Sequence, residues 1–207
     1  MSAVLEALNF RHACKKFNPE KKINKKDLDQ ILQCAVLSPN SFGMEAWKFL
    51  VVESDKVKKA LRPVCWNQPQ ITDASHVVVI LARPGIVNYE NDYVKATFAG
   101  RNLPEDLTLA YIKKYENHMK TEVLPRMSYY AWCSKQCYIA LANIMTAAAS
   151  IKIDSCPMEG FEKEAVENVL KIDKDKYEVA VLVALGFRLG EQSVRRRHAF
   201  NELVEYI

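Results

Sequence analysis

The chain has 207 residues, of which 49% are hydrophobic and 26% are charged, and its formal net charge at pH 7 is +4. This length suits a single domain with a substantial core, and the composition is ordinary for a soluble globular protein. The excess charge is modest and lies in short runs rather than on a basic face with interleaved aromatics, which argues against a nucleic-acid partner.

No stretch approaches the roughly 20 apolar residues that a membrane span needs. The N-terminus lacks the basic-then-apolar pattern of a signal peptide, so we expect no membrane contact and a cytoplasmic protein. Six cysteines are scattered through the chain, which favours reduced thiols over a disulfide framework. Cys133 and Cys137 share a face of a predicted helix, but no nearby ligands complete a metal set. We therefore expect these two side chains to pack in the core, and we predict no metal site.

Hydrophobic spacing predicts alternating helices and strands in the first part of the chain. The segment from His76 to Ala82 is β-branched and apolar on both faces, which is typical of a central strand covered on each side. The elements predicted in this part are helices at 4–10, 27–36 and 55–61 and strands at 49–52 and 76–82.

The second part begins with a long, less apolar stretch at 84–126, whose later half, 105–123, has helical spacing. The segment 130–149 is a helix that is apolar on nearly every face, which is typical of burial in a core or an interface. A helix at 162–170 and a strand at 177–185 follow. The sequence of the tail from Arg195 indicates no independent element. We predict a single domain over 1–207, with an excursion at about 84–126.

Two clusters of basic residues lie near opposite ends of the chain. The first runs from Arg11 to Phe17 and holds Arg11, His12, Lys15 and Lys16, and the second is Arg195 to His198. Guanidinium groups match phosphate geometry, so the two clusters together can hold one phosphate. Two unrelated, solvated charge clusters are the competing interpretation.

Seven segments in a characteristic order and spacing resemble the FMN-dependent nitroreductase family over nearly the full chain. They are Arg11-His12-x-x-Lys15-x-Phe17, 37–49, 73–79, 135–143, Pro157-Met158-Glu159-Gly160-Phe161, 184–186 and Arg195-x-Arg197. The resemblance implies an α+β protein with a three-layer α/β/α nitroreductase-like fold, in which a mixed, mainly antiparallel sheet lies between helices. It also implies a homodimer with FMN at the interface, an excursion that covers the flavin and a C-terminal tail that reaches the partner subunit.

The resemblance further implies roles for individual residues. Arg11, Arg195 and Arg197 would bind the phosphate with His12 nearby, Lys15 would face N1 and O2 of the ring, and Asn67 would pair with the N3 edge. The main-chain N–H groups of Glu159 and Gly160 would face N5 and O4, and Asn40 and Ser41 would contact the ribityl chain or phosphate from the partner subunit. The implied cofactor-binding residues are Arg11, His12, Ala13, Lys15, Asn40, Ser41, Phe42, Asn67, Gln70, Pro157, Met158, Glu159, Gly160, Arg195 and Arg197.

Several of these positions also have ordinary structural interpretations. Asn67 lies in a segment of turn composition, and Gly160 suits any loop before a helix. Met44 and Phe42 could line the pocket, the role of Glu45 is open, and Cys156 is a packed cysteine or a redox-sensitive thiol.

Better-known family members carry a lysine where this chain has Gln70. A neutral amide can donate a hydrogen bond but brings no charge. The hypothesis is that Gln70 lowers the flavin potential, and a redox titration of Gln70→Lys that left the midpoint unmoved would contradict it.

The implied activity is transfer of two electrons from NADPH or NADH through FMN to small-molecule acceptors such as nitroaromatics, quinones or flavins. A ping-pong mechanism uses one site above the ring, and the cofactor carries the chemistry, so no catalytic side chain is expected. The alternative is a flavin-binding storage or sensor protein with little turnover, in which the aromatic-rich stretch from Tyr89 to Tyr115 closes over the ring.

Overall fold

The computed structural model describes residues 1–207 and contains nine α-helices and four β-strands. The helices are α1 (Ala3–Phe10), α2 (Lys25–Val36), α3 (Asp55–Val64), α4 (Gln70–Asp73), α5 (Asp92–Ala99), α6 (Glu105–His118), α7 (Tyr129–Ser150), α8 (Lys163–Val169) and α9 (Phe200–Leu203). The strands are β1 (Trp47–Val52), β2 (His76–Ala82), β3 (Asp154–Met158) and β4 (Glu178–Gly186).

The four strands form one sheet in the order β1-β2-β4-β3, and every neighbouring pair is antiparallel. One isolated parallel bridge joins Ala13 to Ser155 on the outer edge of β3. The central strands β2 and β4 are almost wholly buried, because helices cover both faces of the sheet. The continuous apolar run at 76–82 is the sequence signal of that position.

Each face of the sheet carries its own apolar core. Alternate residues of β2 point to opposite faces, so Val78 and Ile80 join a core with α2, α6 and α7. Val77 and Val79 join the other core, which contains residues of α3 and α8. The predicted α+β fold with a sheet between helical layers is confirmed.

The long helix α7 packs against α1, α2 and all four strands. Its start is capped by Ser128 Oγ, which accepts from the Ala131 N–H at 3.1 Å. Cys133 and Cys137 are buried in the first core, and all six cysteines are free thiols. Tyr138 and Ile139 are each 38% exposed. Within one chain, α7 is therefore buried on one side only, although its sequence is apolar nearly all round.

Several details differ from the sequence expectations, among them the bounds of β1 and α3 and the additional helices α4 and α5. The helix expected at 105–123 ends at His118 and continues as one π-helical turn, Met119–Val123. The tail contains the short helix α9, whose residues are all exposed. The edge strand β3 was missed, because Pro157 within it breaks the strand pattern of a short segment. None of the helices is long and apolar enough to cross a lipid bilayer.

Candidate functional site

The two basic clusters line one cavity of about 270 Å³. It is lined by residues 11–13, which follow α1, and by residues 193–197 of the tail. The Arg195 guanidinium donates to the main-chain carbonyl of Asn9 at 3.2 Å and to that of Arg11. The structure therefore brings together Arg11, His12, Ala13, Arg195 and Arg197 from opposite ends of the sequence.

This arginine cavity has no acidic residue in its lining. Partial burial lowers the pKa of Arg11, and the positive charges of Arg195 and Arg197 lower it further. Arginines held this close repel one another, so an anion with oxygen acceptors would relieve the repulsion.

An ion pair that the sequence did not reveal lies close to the cavity, between the buried Asp154 and the half-buried Arg188. The Asp154 carboxylate accepts from Arg188 Nε at 2.8 Å and from the Arg188 main-chain N–H at 2.8 Å, and it lies 2.7 Å from Arg188 Nη2. The Arg188 guanidinium also stacks over Phe10 at 4.2 Å and donates to Gln192 at 3.2 Å. One side chain thus links the end of α1, the start of β3 and the tail.

His12 lies between the cavity and this ion pair. Its Nδ1 is buried without a hydrogen-bond partner and stands 3.7 Å from Asp154 Oδ1. Burial lowers the pKa of His12, and the nearby Arg188 lowers it too, whereas Asp154 raises it. The ring nitrogen Nδ1 of His12 therefore has hydrogen-bonding capacity that no protein group uses.

Lys15 lies along the edge of β3, next to the arginine cavity. It lines a smaller cavity of about 180 Å³ together with His12 and Arg188, and its Nζ approaches Cys156 Sγ at 3.7 Å. Cys156 is fully buried, and burial raises its pKa, although Lys15 acts in the opposite direction. Of the two interpretations of Cys156, the structure favours a packed thiol.

Residues 159–162 form a turn, called here the 159–162 turn, that follows β3 and is joined closely to the loop after α3. Gln68 Nε2 donates to the Gly160 carbonyl at 2.8 Å and to the Cys65 carbonyl at 3.2 Å. A Cβ on Gly160 would stand 2.6 Å from Cε3 of Trp66 and 2.9 Å from Nε2 of Gln68. Position 160 therefore requires glycine because its protein neighbours leave no room for a Cβ, whether or not a ligand is bound.

The loop after α3 has an unusual backbone. Trp66 and Asn67 adopt left-handed conformations with φ of 52° and 54°, and such conformations in residues other than glycine concentrate at functional sites. Trp66 is 66% exposed, and its Nε1 donates to Glu162 at 3.1 Å. Gln70 is buried at the start of α4, and its Oε1 has no hydrogen-bond partner.

The residues of β3 and of the turn also contact α7. Pro157 and Met158 lie in β3 itself, where Met158 pairs with Leu182 and is buried. The Glu159 side chain accepts a hydrogen bond from the Tyr138 hydroxyl. Burial raises the pKa of Tyr138, and the Glu159 carboxylate raises it further.

Residues 41–45, called here the 41–45 loop, lie on the other side of α7. The Ser41 N–H donates to Gln136 Oε1 at 2.9 Å, and the Asn40 side chain accepts from the Glu45 N–H at 2.7 Å. The Phe42 ring is half-buried against the excursion. The expectation that Met44 lines a pocket was wrong, because this side chain is fully buried in the first core.

Helix α7 separates the 41–45 loop from the 159–162 turn in a single chain. Gln136 and Tyr138, which contact the loop and the turn, are two residues apart and so point about 200° apart around the helix axis. The predicted site residues thus fall into two groups, of which Asn40, Ser41 and Phe42 form one. The other group surrounds β3 and the arginine cavity.

These features define the chain as an α+β protein with an arginine-lined cavity beside β3. The family model described as "Nitroreductase family" matches residues 8–187. YfkO of Bacillus subtilis (strain 168), which carries a provisional NAD(P)H nitroreductase name, is 38% identical over 214 residues, covering 99% of this chain and 97% of that protein. The chain belongs to the nitroreductase family.

Solved structures show the same fold. That of ydfN from Bacillus subtilis, provisionally described as a nitroreductase, has a TM-score of 0.87 with 22% identity and covers 98% of both chains. Another from Exiguobacterium sibiricum 255-15, described in similar terms and solved in complex with FMN, has a TM-score of 0.83 with 20% identity. It covers 100% of this chain and 98% of that one.

Proposed function

We propose that this protein is an FMN-dependent oxidoreductase that passes two electrons from NADPH or NADH to a small-molecule acceptor by a ping-pong mechanism. Nitroaromatics, quinones and free flavins are the acceptor classes we propose. The observation that carries the proposal is the arginine cavity beside Lys15, in a family whose relatives carry NAD(P)H nitroreductase names and whose fold neighbours include an FMN complex.

The residues around the cavity fit a flavin mononucleotide. Arg11, Arg195 and Arg197 supply guanidinium groups for a phosphate, and the unpartnered Nδ1 of His12 lies next to them. A second unpartnered buried atom, Oε1 of Gln70 at the start of α4, lies outside the cavity lining and suits the polar edge of a ring. Both atoms would gain partners when such a ligand binds, which lowers the cost of leaving them buried.

When bound, FMN supplies the electron transfer itself, because its ring accepts and donates two electrons. The protein's part is to bind and orient. We assign the phosphate to the three arginines, the ring edge where negative charge develops to Lys15, and the N5 side to the main-chain N–H groups of Glu159 and Gly160. A fixed ammonium group near developing negative charge stabilises the reduced state.

We propose that the functional unit is a homodimer in which each flavin site takes the 41–45 loop from one subunit and the arginine cavity from the other. Three observations support this arrangement. Helix α7 separates the two groups in a single chain, and apolar residues on α7 (Tyr138 and Ile139) and on α1 (Val4 and Leu8) are exposed. The tail residues from Phe200 onward are also exposed. The tail would then reach the partner subunit. The six free thiols suit a reducing compartment such as the cytoplasm.

The experiment is an absorbance spectrum of the purified protein, followed by anaerobic addition of NADPH and then NADH. We expect flavin bands that bleach with at least one donor and return when a nitroaromatic or a quinone is added. A protein that takes up no FMN, even after incubation with it, would contradict the proposal.

Flavin bands that bleach with neither donor would instead indicate a binding protein with little turnover. The structure gives that alternative no particular support. Phe98 and Tyr115, two aromatics of the stretch proposed to close over the ring, are buried in the first core.

A further inference from the structure

Two residues of the 41–45 loop that are not glycine have left-handed backbones. Phe42 has φ of 55° and Glu45 has φ of 45°. This conformation brings the Cβ close to the carbonyl oxygen and raises the energy of the backbone. It persists only where surrounding contacts determine it, so the contacts of this loop explain how it is held.

Three main-chain carbonyls of the loop accept hydrogen bonds from side chains in or beside the excursion. Phe42 O accepts from Arg101 Nη2, Met44 O accepts from the Tyr93 hydroxyl at 3.1 Å, and Glu45 O accepts from Arg83 Nη1 at 3.1 Å. We call these three donors the carbonyl clamp. A carbonyl accepts through the main chain, so the clamp fixes the direction of the peptide groups whatever the loop's side chains are.

Arg101 is the clamp residue most firmly tied to the excursion. Its guanidinium lies over the Phe98 ring at 4.5 Å and 5.7 Å from the centroid of Tyr111. These stacking contacts come from α5 and α6, so Arg101 joins two helices to one loop carbonyl. A Cβ on Gly43 would stand 3.2 Å from Arg101 Nη2, which shows how closely the guanidinium approaches the loop.

The Phe42 side chain is attached to the same helices. Its ring packs edge-on against Tyr115 at 5.2 Å and lies 5.3 Å from the His118 ring. Main chain and side chain of Phe42 therefore both depend on the packing of α5 and α6. The loop cannot take its left-handed form independently of the excursion.

We propose that Arg101 is a positioning residue: it couples the order of the excursion to the binding of FMN by fixing the 41–45 loop through the Phe42 carbonyl. This inference rests on the proposed function, in which Asn40 and Ser41 contact the flavin. Coupling of two sites is reciprocal. FMN therefore stabilises α5 and α6, and loosening Arg101 weakens FMN binding.

The test compares Arg101→Met with the wild type. Methionine keeps much of the apolar stem but cannot donate to the carbonyl. We expect FMN to bind about tenfold more weakly, as for one lost hydrogen bond from a charged donor. In the wild type we also expect FMN to slow amide hydrogen exchange in 92–118, and this slowing should be lost in the variant. Exchange in the 159–162 turn should still slow when FMN binds.

Arg126→Met is the matched control. Arg126 lies near the end of the excursion, is exposed and pairs only with Glu122 at 3.0 Å, so its loss removes the same charge without touching the loop. FMN affinity and exchange should match the wild type. Tyr93→Phe is a second clamp variant, with an expected effect of the same sign and smaller size, should Arg101→Met fail to fold.

The inference is overturned if Arg101→Met and Tyr93→Phe bind FMN as tightly as the wild type and keep the slowed exchange at 92–118. A wild-type protein that binds no FMN contradicts the proposed function instead. The clamp is then judged on the ligand-free proteins, where exchange of the 41–45 amides should be faster in Arg101→Met. Equal exchange rates there would overturn it.

Discussion

The 41–45 loop and the 159–162 turn lie on opposite sides of α7 and are held in different ways. Long side chains reach the loop from the excursion and donate to its carbonyls, and Gln136 accepts from its Ser41 N–H. The turn is held mainly by close packing against the loop after α3, with no room for a Cβ on Gly160, and by one side-chain donor, Gln68. Both regions contain or adjoin left-handed residues other than glycine.

The difference determines which changes each region tolerates. A region held by donated hydrogen bonds loses stability when a donor is removed, and extra volume at its surface matters less. A region held by close packing is sensitive to a single added methyl group, because packed protein interiors have little spare volume. Variants of each type should therefore affect the two regions unequally.

The largest effect is expected from Gly160→Ala. The new methyl group would overlap the Trp66 ring and Gln68 Nε2, so the turn or its neighbours must shift. Displacement of the two main-chain donors should weaken FMN binding roughly 10- to 100-fold, as for an overpacked site. Titration of the apoprotein with FMN measures the change.

Gly100→Ala is the control for this substitution, because its Cβ would make only ordinary contacts of 3.4 Å or longer. Adding Trp66→Ala to Gly160→Ala removes the closest obstacle and should restore part of the affinity. Unchanged FMN binding by Gly160→Ala alone would show that the turn does not face the cofactor.

A mixed dimer tests whether the two regions meet across the proposed interface. One subunit carries Gly160→Ala and the other Gly43→Val, which places a β-branched residue at a φ of 58° in the 41–45 loop. If each site combines the loop of one subunit with the turn of the other, one of the two sites contains no substitution. We expect this dimer, purified with two different affinity tags, to hold about half the wild-type flavin at wild-type affinity.

Each homodimer of the single variants is the control, and both should lack any site of wild-type affinity. If loop and turn of the same subunit formed a site, the mixed dimer would also have no intact site. Weak FMN binding by the mixed dimer would therefore contradict the shared-site arrangement.

A smaller effect is expected from Gln68→Met, which keeps the side-chain length but removes the donor to Gly160 O and Cys65 O. The turn would keep its packing and lose one neutral tie of about 1 kcal/mol, so FMN affinity should fall roughly fivefold. Gln33→Met on the exposed face of α2 is the control. A fall as large as that for Gly160→Ala would show that the amide, rather than packing, holds the turn.

Much of the fold followed from the sequence, because the relevant signals are local. The continuous apolar run predicted β2 at 76–82 with the bounds that the structure has, and the helical pattern predicted α7 within one residue at each end. Strand β3 was missed because its five residues include Pro157 and lie at an edge, where pairing tolerates a proline.

The site could be predicted only in part. Arg11 and Arg195 were paired from their basic character and from the family resemblance, and the structure places them around one cavity. The Asp154–Arg188 pair and the carbonyl clamp left no local signal. Each joins residues distant in sequence through a main-chain carbonyl or a buried carboxylate, and only the folded chain brings such atoms together.

The smallest expected effect concerns pH, because neither the loop nor the turn contains a histidine. The histidines with a lowered pKa lie elsewhere: burial lowers the pKa of His12 and of His76, although Asp154 and Glu53 respectively raise it. The unfolded chain therefore binds more protons than the folded protein as the pH falls below about 6.5. Stability that is fully present above that pH is lost between about 6.5 and the lower pKa of the folded state.

The variant His76→Gln separates this loss of stability at low pH from the binding of the cofactor. His76 is buried, with Nδ1 2.9 Å from Ser75 Oγ and Nε2 3.3 Å from Glu53, and glutamine can keep a polar contact without titrating. We expect the wild-type melting temperature to fall by a few degrees between pH 7 and pH 5.5, at about 2–4 °C for each kcal/mol lost, and the fall should be smaller in the variant. The ratio of FMN affinities between Gly160→Ala and Arg101→Met should be the same at both pH values, because His12 and His76, the two histidines with a lowered pKa, lie outside the loop and the turn. A ratio that changes with pH would show that one of the two regions is held by a titrating group.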